Sequence, residues 1–359
     1  MKVALDATPL TLSSGGIARY TCELAKALSA GFPEDEIFLL SDQPFTVPTQ
    51  PSSNLRIGMG PCRSWHRRWW LCGLPYAMLR HGVEVFHGTH FVAPWIQLRP
   101  SVITIHDLSP WLDPAWHRHA DFVRNRTPVL IGLNLVTMFI TPSEVIRRQA
   151  MERFQIPPSR IAAIPLAAAS HFRPFQLHPG QTVQVERPYF LFVGTLEPRK
   201  NIEMLISAWR EVSRLHKVDL ILAGRRRHDC PTVAPQPGLH LLEEIADEAL
   251  PALYSGAVAF LYPSQYEGFG LPVLEAMQCG AAAIVSKDAA LREVSDGVAI
   301  ELDCWDAKAW IEAMVTVLTR ADVAAELRNR SLRRAKEFSW SRTARATREV
   351  YAEAIRRLG

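Results

Sequence analysis

The chain has 359 residues, 48% of them hydrophobic and 21% charged, which is enough for two globular domains of ordinary size, each with its own core. A formal net charge of +4 is too small to argue for nucleic acid, and it suits an enzyme for anionic substrates or one resting on an anionic membrane. Six cysteines (22, 62, 72, 230, 279, 304) show neither a CxxC pair nor a zinc spacing and so imply a reducing cytoplasm, not a disulfide scaffold. The run from Met1 to Asp6 enters a strand directly, so no signal peptide is expected, and the most apolar stretch, 129–140, is too short to span a bilayer.

Val3 to Ala7 reads as a buried first strand. It leads into Ser13-Ser14-Gly15-Gly16-Ile17-Ala18-Arg19-Tyr20 and a helix through about residue 28. Strand, glycine loop and helix make the phosphate-facing corner of a doubly wound α/β domain, although the full GxGxxG of a dinucleotide site is missing. Further short strands are expected at 37–41, 55–58, 83–87 and 102–105, with helical stretches between several of them. That alternation implies a parallel sheet with helices on both faces and ligands beyond the carboxyl ends of its strands. Two of these strands end in histidine, His87 and His106, each placed either to contact substrate or to serve the core. His106, His117 and His119 fit no metal-ligand spacing, and no metal site is expected. Between these strands lies Arg63-Ser64-Trp65-His66-Arg67-Arg68-Trp69-Trp70-Leu71, which reads two ways. Its arginines and tryptophans suit an anionic membrane surface, or Trp69 and Leu71 are core residues of a helix with the arginines solvated. Residues 127–154 read as helix, strand (136–141), turn and a helix capped by Ser143, and 161–165 as the last strand of this half.

Prolines, Gly180 and polar residues mark 171–187 as a linker between a first domain, 1–170, and a second, 188–340. Strand–helix alternation restarts at Tyr189-Phe190-Leu191-Phe192-Val193. The next loop, Gly194-Thr195-Leu196-Glu197-Pro198-Arg199-Lys200-Asn201, places Arg199 and Lys200 just ahead of a helix N-terminus. Two cations beside free amides make a diphosphate clamp; a solvated basic loop is the plainer reading. A strand at 218–223 runs into Gly224-Arg225-Arg226-Arg227, and Asp247 reads as an N-cap. Then comes Tyr266-Glu267-Gly268-Phe269-Gly270-Leu271-Pro272, which runs on to Glu275. Pro272 suits a first helical turn, the two glycines let backbone approach a ligand, and the amides of Phe269, Gly270 and Leu271 face outward where an anion binds well. Glu267 lies in the loop, and Glu275 in the first turn points back to the same end. Two carboxylates for hydroxyls and a row of amides for phosphate describe a sugar nucleotide. Residues 341–359 read as a final helix.

The run Glu267-Gly268-Phe269-Gly270-Leu271-Pro272 with Glu275, flanked by Tyr262-Pro263-Ser264 and Ala276-Met277, resembles the E-x7-E signature of retaining GT-B glycosyltransferases of family 4. The resemblance extends from Asp6 to the last helix. It implies a GT-B fold, with two doubly wound Rossmann-like α/β domains facing a central cleft and the last helix crossing back to the first domain. It also implies a sugar-nucleotide donor (GDP-mannose above others, from the EPRKN variant of the basic loop), a glycan or lipid-linked acceptor, and polysaccharide synthesis at the cytoplasmic face of a membrane. No cofactor, metal or nucleic acid is implied. By the same resemblance His106 and Glu267 serve the reacting sugar, while Gly16, Arg199, Lys200, Gly268, Phe269, Gly270, Leu271 and Glu275 bind the donor. Thr195 departs from the pattern, since many relatives carry arginine there. A non-catalytic sugar-nucleotide-binding protein and another GT-B enzyme, such as an epimerase, are the alternatives.

Overall fold

A computed structural model describes residues 1–11, 15–46, 53–58, 68–113, 115–116, 120–175, 187–227 and 233–358. The chain divides into two compact units, one of Met1–Leu166 with Ser339–Gly359, the other of Ala167–Phe338.

The first unit is built on β1 (Lys2–Asp6), β2 (Glu36–Leu40), β3 (Leu55–Ile57), β4 (Val85–Gly88), β5 (Ser101–Thr104), β6 (Met138–Thr141) and β7 (Ile161–Ala163). These strands form one parallel sheet in the order β3-β2-β1-β4-β5-β6-β7. All four residues of β4, β5 and β6 are buried, as a sheet covered on both faces requires. Its helices are α1 (Gly16–Gly31), α2 (Leu74–His81), α3 (Ser109–Leu112), α4 (Asp121–Gly132) and α5 (Glu144–Phe154). Ser143 caps α5 by accepting the N–H of Ile146 at 3.2 Å, so that expected cap is present. Trp69 is 3% exposed in a core with Phe38, Leu74, Met78 and Phe86. Of the two readings of 63–71, Trp69 therefore follows the core one, while Leu71 is 41% exposed and residues 63–67 lie outside the described residues.

The second unit carries β8 (Tyr189–Val193), β9 (Asp219–Ala223), β10 (Leu239–Leu242), β11 (Ala259–Tyr262), β12 (Ala283–Ser286) and β13 (Ile300–Leu302), again all parallel, in the order β10-β9-β8-β11-β12-β13. Its helices are α6 (Ile202–Leu215), α7 (Leu250–Gly256), α8 (Leu271–Gln278), α9 (Ala289–Ser295), α10 (Ala307–Thr319) and α11 (Ala321–Ala335). On α6, Ile202, Leu205, Ile206, Trp209 and Val212 recur at helical spacing and form its buried face. Asp247 lies in a 3-10 turn and Ala249 takes the N-cap position of α7, so Asp247 does not cap that helix. Most of the expected linker, 176–186, lies outside the described residues. Of its start, Phe172 is fully buried against Tyr254, and the Phe175 N–H donates to Ser255 Oγ, so this stretch belongs to the second core. The last helix, α12 (Trp340–Leu358), packs on α1 within the first unit.

In both sheets the strand order reverses beside the first strand of the unit, between β1 and β4 and between β8 and β11. A crevice opens there in doubly wound sheets, because the connections on either side leave in opposite directions. The loops after β8 and β11 are those that carry Arg199, Lys200 and Glu267.

Candidate active site

The loop after β8 turns on Gly194, at φ +147°, which lies against Gly224 at the end of β9. A Cβ on Gly224 would sit 2.2 Å from the Gly194 carbonyl oxygen, so the two loops meet only because Gly224 has none. The Leu196 N–H donates to Arg225 O and the Arg227 N–H to Leu196 O, tying the loops together. Pro198–Lys200 forms a 3-10 turn, and Asn201, at φ +55°, leads into α6 with its side-chain amide on Cys304 O.

This turn drives two cations into the crevice. Lys200 is 5% exposed, and its ammonium donates to the Tyr262 hydroxyl at 2.8 Å and to Glu267 Oε1. Arg199 Nη1 lies 3.1 Å from Glu267 Oε2 and donates to Tyr266 O at 2.7 Å. Its Nε sits 2.7 Å from Glu197 Oε1, an ion-pair contact without hydrogen-bond alignment. Arg227 donates to the other oxygen of Glu197 at 2.9 Å. The result is a chain of alternating charge, Arg227–Glu197–Arg199–Glu267–Lys200, with three cations and two carboxylates.

Glu267 is 6% exposed, and burial alone would raise its pKa; Arg199 and Lys200 outweigh it and hold the carboxyl at about 2. Lys200 is lowered, chiefly by burial and then by Arg199, against the pull of Glu267. Asp288 caps α9 by accepting the Ala290 and Leu291 N–H groups, and burial followed by the nearby Glu267 charge pushes it up to about 6.

Helix α8 begins at Leu271, with Gly270 in the N-cap position at φ +98°. A Cβ there would meet Leu291 Cδ2 at 2.4 Å, so the tight entry demands glycine. Among the described residues the Phe269, Gly270 and Leu271 N–H groups meet no backbone acceptor, which leaves an anion-favouring helix end on the loop that carries Glu267. Gly268 stands between Glu267 and this helix start. Glu275 is 1% exposed and accepts the Tyr254 hydroxyl at 3.0 Å.

Thus Arg199, Lys200 and Glu267 touch one another, and residues 268–271 and Glu275 continue from them along one loop and helix. Gly16 and His106 belong to the first unit. Gly16 opens α1, with free space around a would-be Cβ. Tyr20, one turn on, packs edge-on to the His106 ring at 5.0 Å. His106 Nε2–H donates to Thr89 O at 2.6 Å, leaving Nδ1 as a lone-pair acceptor. Burial lowers its pKa, so the ring is neutral near pH 7. His87 is instead a core residue, fully buried between the Tyr351 hydroxyl (2.6 Å) and Thr104 Oγ1 (2.7 Å). Burial and the neighbouring His106 take it down to about 3.

Sequence reading missed Glu197, Tyr262 and Tyr254 as partners of this site. Glu197 stands in the same basic loop and offered a signal, an acidic residue two positions before Arg199. Tyr262 flanks the Glu267–Glu275 run, but neither tyrosine carried a sign of the partner it would meet.

The family model of glycosyl transferases group 1 matches residues 176–337, and that of Glycosyltransferase Family 4 matches residues 14–169. The O-antigen chain mannosyltransferase B of Escherichia coli is 30% identical over 383 residues, across 98% of this chain and 99% of that one. The sucrose-phosphate synthase of Thermosynechococcus elongatus has the same fold at a TM-score of 0.73 and 20% identity, covering 98% of each chain. Anabaena Alr3699/HepE, solved in complex with UDP and glucose, matches at a TM-score of 0.70 and 16% identity, over 98% of this chain and 99% of that one. The fold is GT-B, and the chain belongs to the group 1 glycosyltransferases of family 4.

Proposed function

We propose that the chain moves a sugar from a nucleoside diphosphate sugar, GDP-mannose first among candidates, to a glycan or lipid-linked acceptor, with retention of anomeric configuration, in the synthesis of a cell-surface polysaccharide. The observation that carries this reading is the buried Arg199–Glu267–Lys200 cluster beside the open N-terminus of α8. Support for mannose comes from the name of the full-length relative, an O-antigen chain mannosyltransferase, and support for a nucleotide donor from the Anabaena structure with UDP and glucose.

In this reading Arg199, Lys200 and the Phe269–Leu271 amides stabilise the charge that develops on the leaving diphosphate. Glu267 holds hydroxyls of the transferred sugar, and Glu275 those of the ribose. On the first unit, His106 offers its Nδ1 lone pair to a substrate hydroxyl, and Gly16 keeps the start of α1 open. A double displacement needs a carboxylate nucleophile beneath the anomeric carbon. No carboxylate is assigned to that place, and membership of the family favours front-face attack: the acceptor oxygen bonds to the anomeric carbon, the bond to the diphosphate breaks, and that diphosphate takes the acceptor's proton. The basic cluster supplies the positive charge, so catalysis proceeds without a metal or other cofactor.

The protein works in the cytoplasm, in contact with an anionic membrane. Tyr76 (55% exposed), Leu79 (51%) and Leu71 (41%) project from α2 and its approach, with Arg68 and Arg80 also exposed. Among the described residues no helix is long and apolar enough to cross a membrane, so contact would be peripheral. Flotation with anionic but not neutral vesicles, reversed by salt, is expected; no flotation with anionic vesicles at low salt refutes it.

The test of function is incubation of the purified chain with GDP-mannose and with other nucleoside diphosphate sugars, with and without glycan acceptors. Product is expected only with an acceptor, with the donor's anomeric configuration by NMR. An inverted product would overturn retention, and binding without turnover of any donor would leave a non-catalytic protein.

A further inference from the structure

Arg126, on α4, is 5% exposed, yet among the described residues it donates one hydrogen bond. One Nη2–H goes to Ala93 O at 2.8 Å, while Nε is buried without a partner. Among the described residues no carboxylate comes within ion-pair distance of it. Its guanidinium carbon lies 4.6 Å from the Trp70 ring centroid, 5.0 Å from Trp95 and 5.0 Å from Phe122, so aromatic rings enclose it. The Trp95 N–H donates to Trp70 O, which fixes two walls of this box to one another. Other arginines of the chain show what a bracing role looks like. Arg160 delivers its N–H groups to Thr137 O, Val136 O and Asn134 Oδ1, and Arg328 spans Ser255 O and Ala257 O. A buried cation with one hydrogen bond is costly unless something else supplies the missing partners.

The position says what that partner serves. Ala93 lies on the segment that follows β4, and the carboxylate whose charge Arg126 feels is Asp6, the last residue of β1. Strands β1 and β4 are neighbours at the point where the strand order of the first sheet reverses, and both contribute their carboxyl ends. Ligands of doubly wound sheets bind there. Burial lowers the Arg126 pKa to about 10, against the pull of Asp6, so the group stays a cation at neutral pH.

We propose that Arg126 receives an anionic group of the sugar acceptor, a phosphate or a carboxylate, at this reversal point of the first sheet. The inference rests on the reading of the chain as a transferase. A planar fork with unused N–H donors suits a two-oxygen anion, and the aromatic rings beside it, Phe122 being 56% exposed, suit an apolar or sugar moiety next to the pair.

The experiment uses the full chain with GDP in excess, so that the donor pocket is filled, and titrates octyl phosphate, octanoate and octyl glucoside by calorimetry. One of the two anions is expected to bind at least tenfold tighter than octyl glucoside. Preference for octyl phosphate identifies a phosphate-bearing acceptor, and preference for octanoate an acidic sugar. Arg126→Met should abolish the preference while binding of octyl glucoside and the melting temperature change little. Should Arg126→Met fail to fold, Arg126→Lys is expected to weaken the preferred anion threefold to tenfold and leave octyl glucoside unchanged. Equal binding of all three ligands to the wild type, or a parallel loss of all three in the variants, would make Arg126 a brace and overturn the proposal. Turnover of a sugar nucleotide in the same preparation keeps the two readings apart. Turnover with no anion preference sinks only the acceptor inference, and absence of turnover with every donor sinks the transferase reading.

Discussion

Glu267 is paired with the two cations that we propose meet the donor's diphosphate, and this sets an unusual expectation for Glu267→Gln. The drop of its pKa from 4.5 to about 2 corresponds to about 3 kcal/mol of native-state stability, at about 1.4 kcal/mol per pH unit. The sign follows from the direction: a carboxyl held down in the folded protein stabilises above its unfolded pKa of 4.5, and that contribution is lost as pH falls through about 2. The neutral isostere forfeits it wherever the carboxylate is ionised and leaves Arg199 and Lys200 without their shared counter-ion. A loss of about 3 kcal/mol should lower the melting temperature of the second unit by about 6–12 °C near pH 7. Because a bound nucleoside diphosphate restores negative charge, it should raise the melting temperature of Glu267→Gln more than that of the wild type, even while sugar transfer falls. Differential scanning fluorimetry between pH 3 and 7, with and without GDP or UDP, reads all of this. A variant that melts within about 2 °C of the wild type near pH 7 would refute the reasoning. Equal stabilisation of both proteins by the nucleotide would show that Glu267 and diphosphate do not compete.

Glu275→Gln should weaken a ribonucleoside diphosphate by about 1.5–3 kcal/mol and spare its 2′,3′-dideoxy analogue, since a charged acceptor to hydroxyls is lost; calorimetry with the pair decides, and equal losses would refute the ribose role. Tyr351→Phe strips His87 Nδ1 of its partner in a fully buried site and should cost about 1–3 kcal/mol of first-unit stability, measured by urea unfolding, with nucleotide affinity unchanged. Dialysis against EDTA should leave sugar transfer intact; loss of activity restored by one divalent metal would overturn metal-independent catalysis.

Local pattern made the scaffold legible. The strands Tyr189–Val193 and Ala283–Ser286 stand where their apolar runs begin and end, and β1, β2 and β6 differ from expectation by one or two residues at their ends. What escaped were the elements too short to show a period, such as β13 with three residues, and β10, whose four residues are only half-buried. The Glu267–Glu275 run was equally plain, because Glu267, Gly268, Gly270 and Glu275 sit within one stretch and the φ of +98° at Gly270 needs a glycine. The electrostatics were not. Lys200 and Glu267 are 67 residues apart and meet only because β8 and β11 are neighbours in the sheet. From sequence, Arg199 and Lys200 read as cations waiting for phosphate. In the folded unit they are already paired with Glu267 and Glu197, so under the proposed function phosphate binding is an exchange of anions and not a capture by bare charge. Arg126 shows the converse. The sequence reading did not single it out, yet it packs against Trp70 and Trp95, is buried, and its Nε is left without a partner. A residue's type says which chemistry it can do; the register of the sheet decides which partner it does it with, and that pairing is carried by no local stretch of the chain.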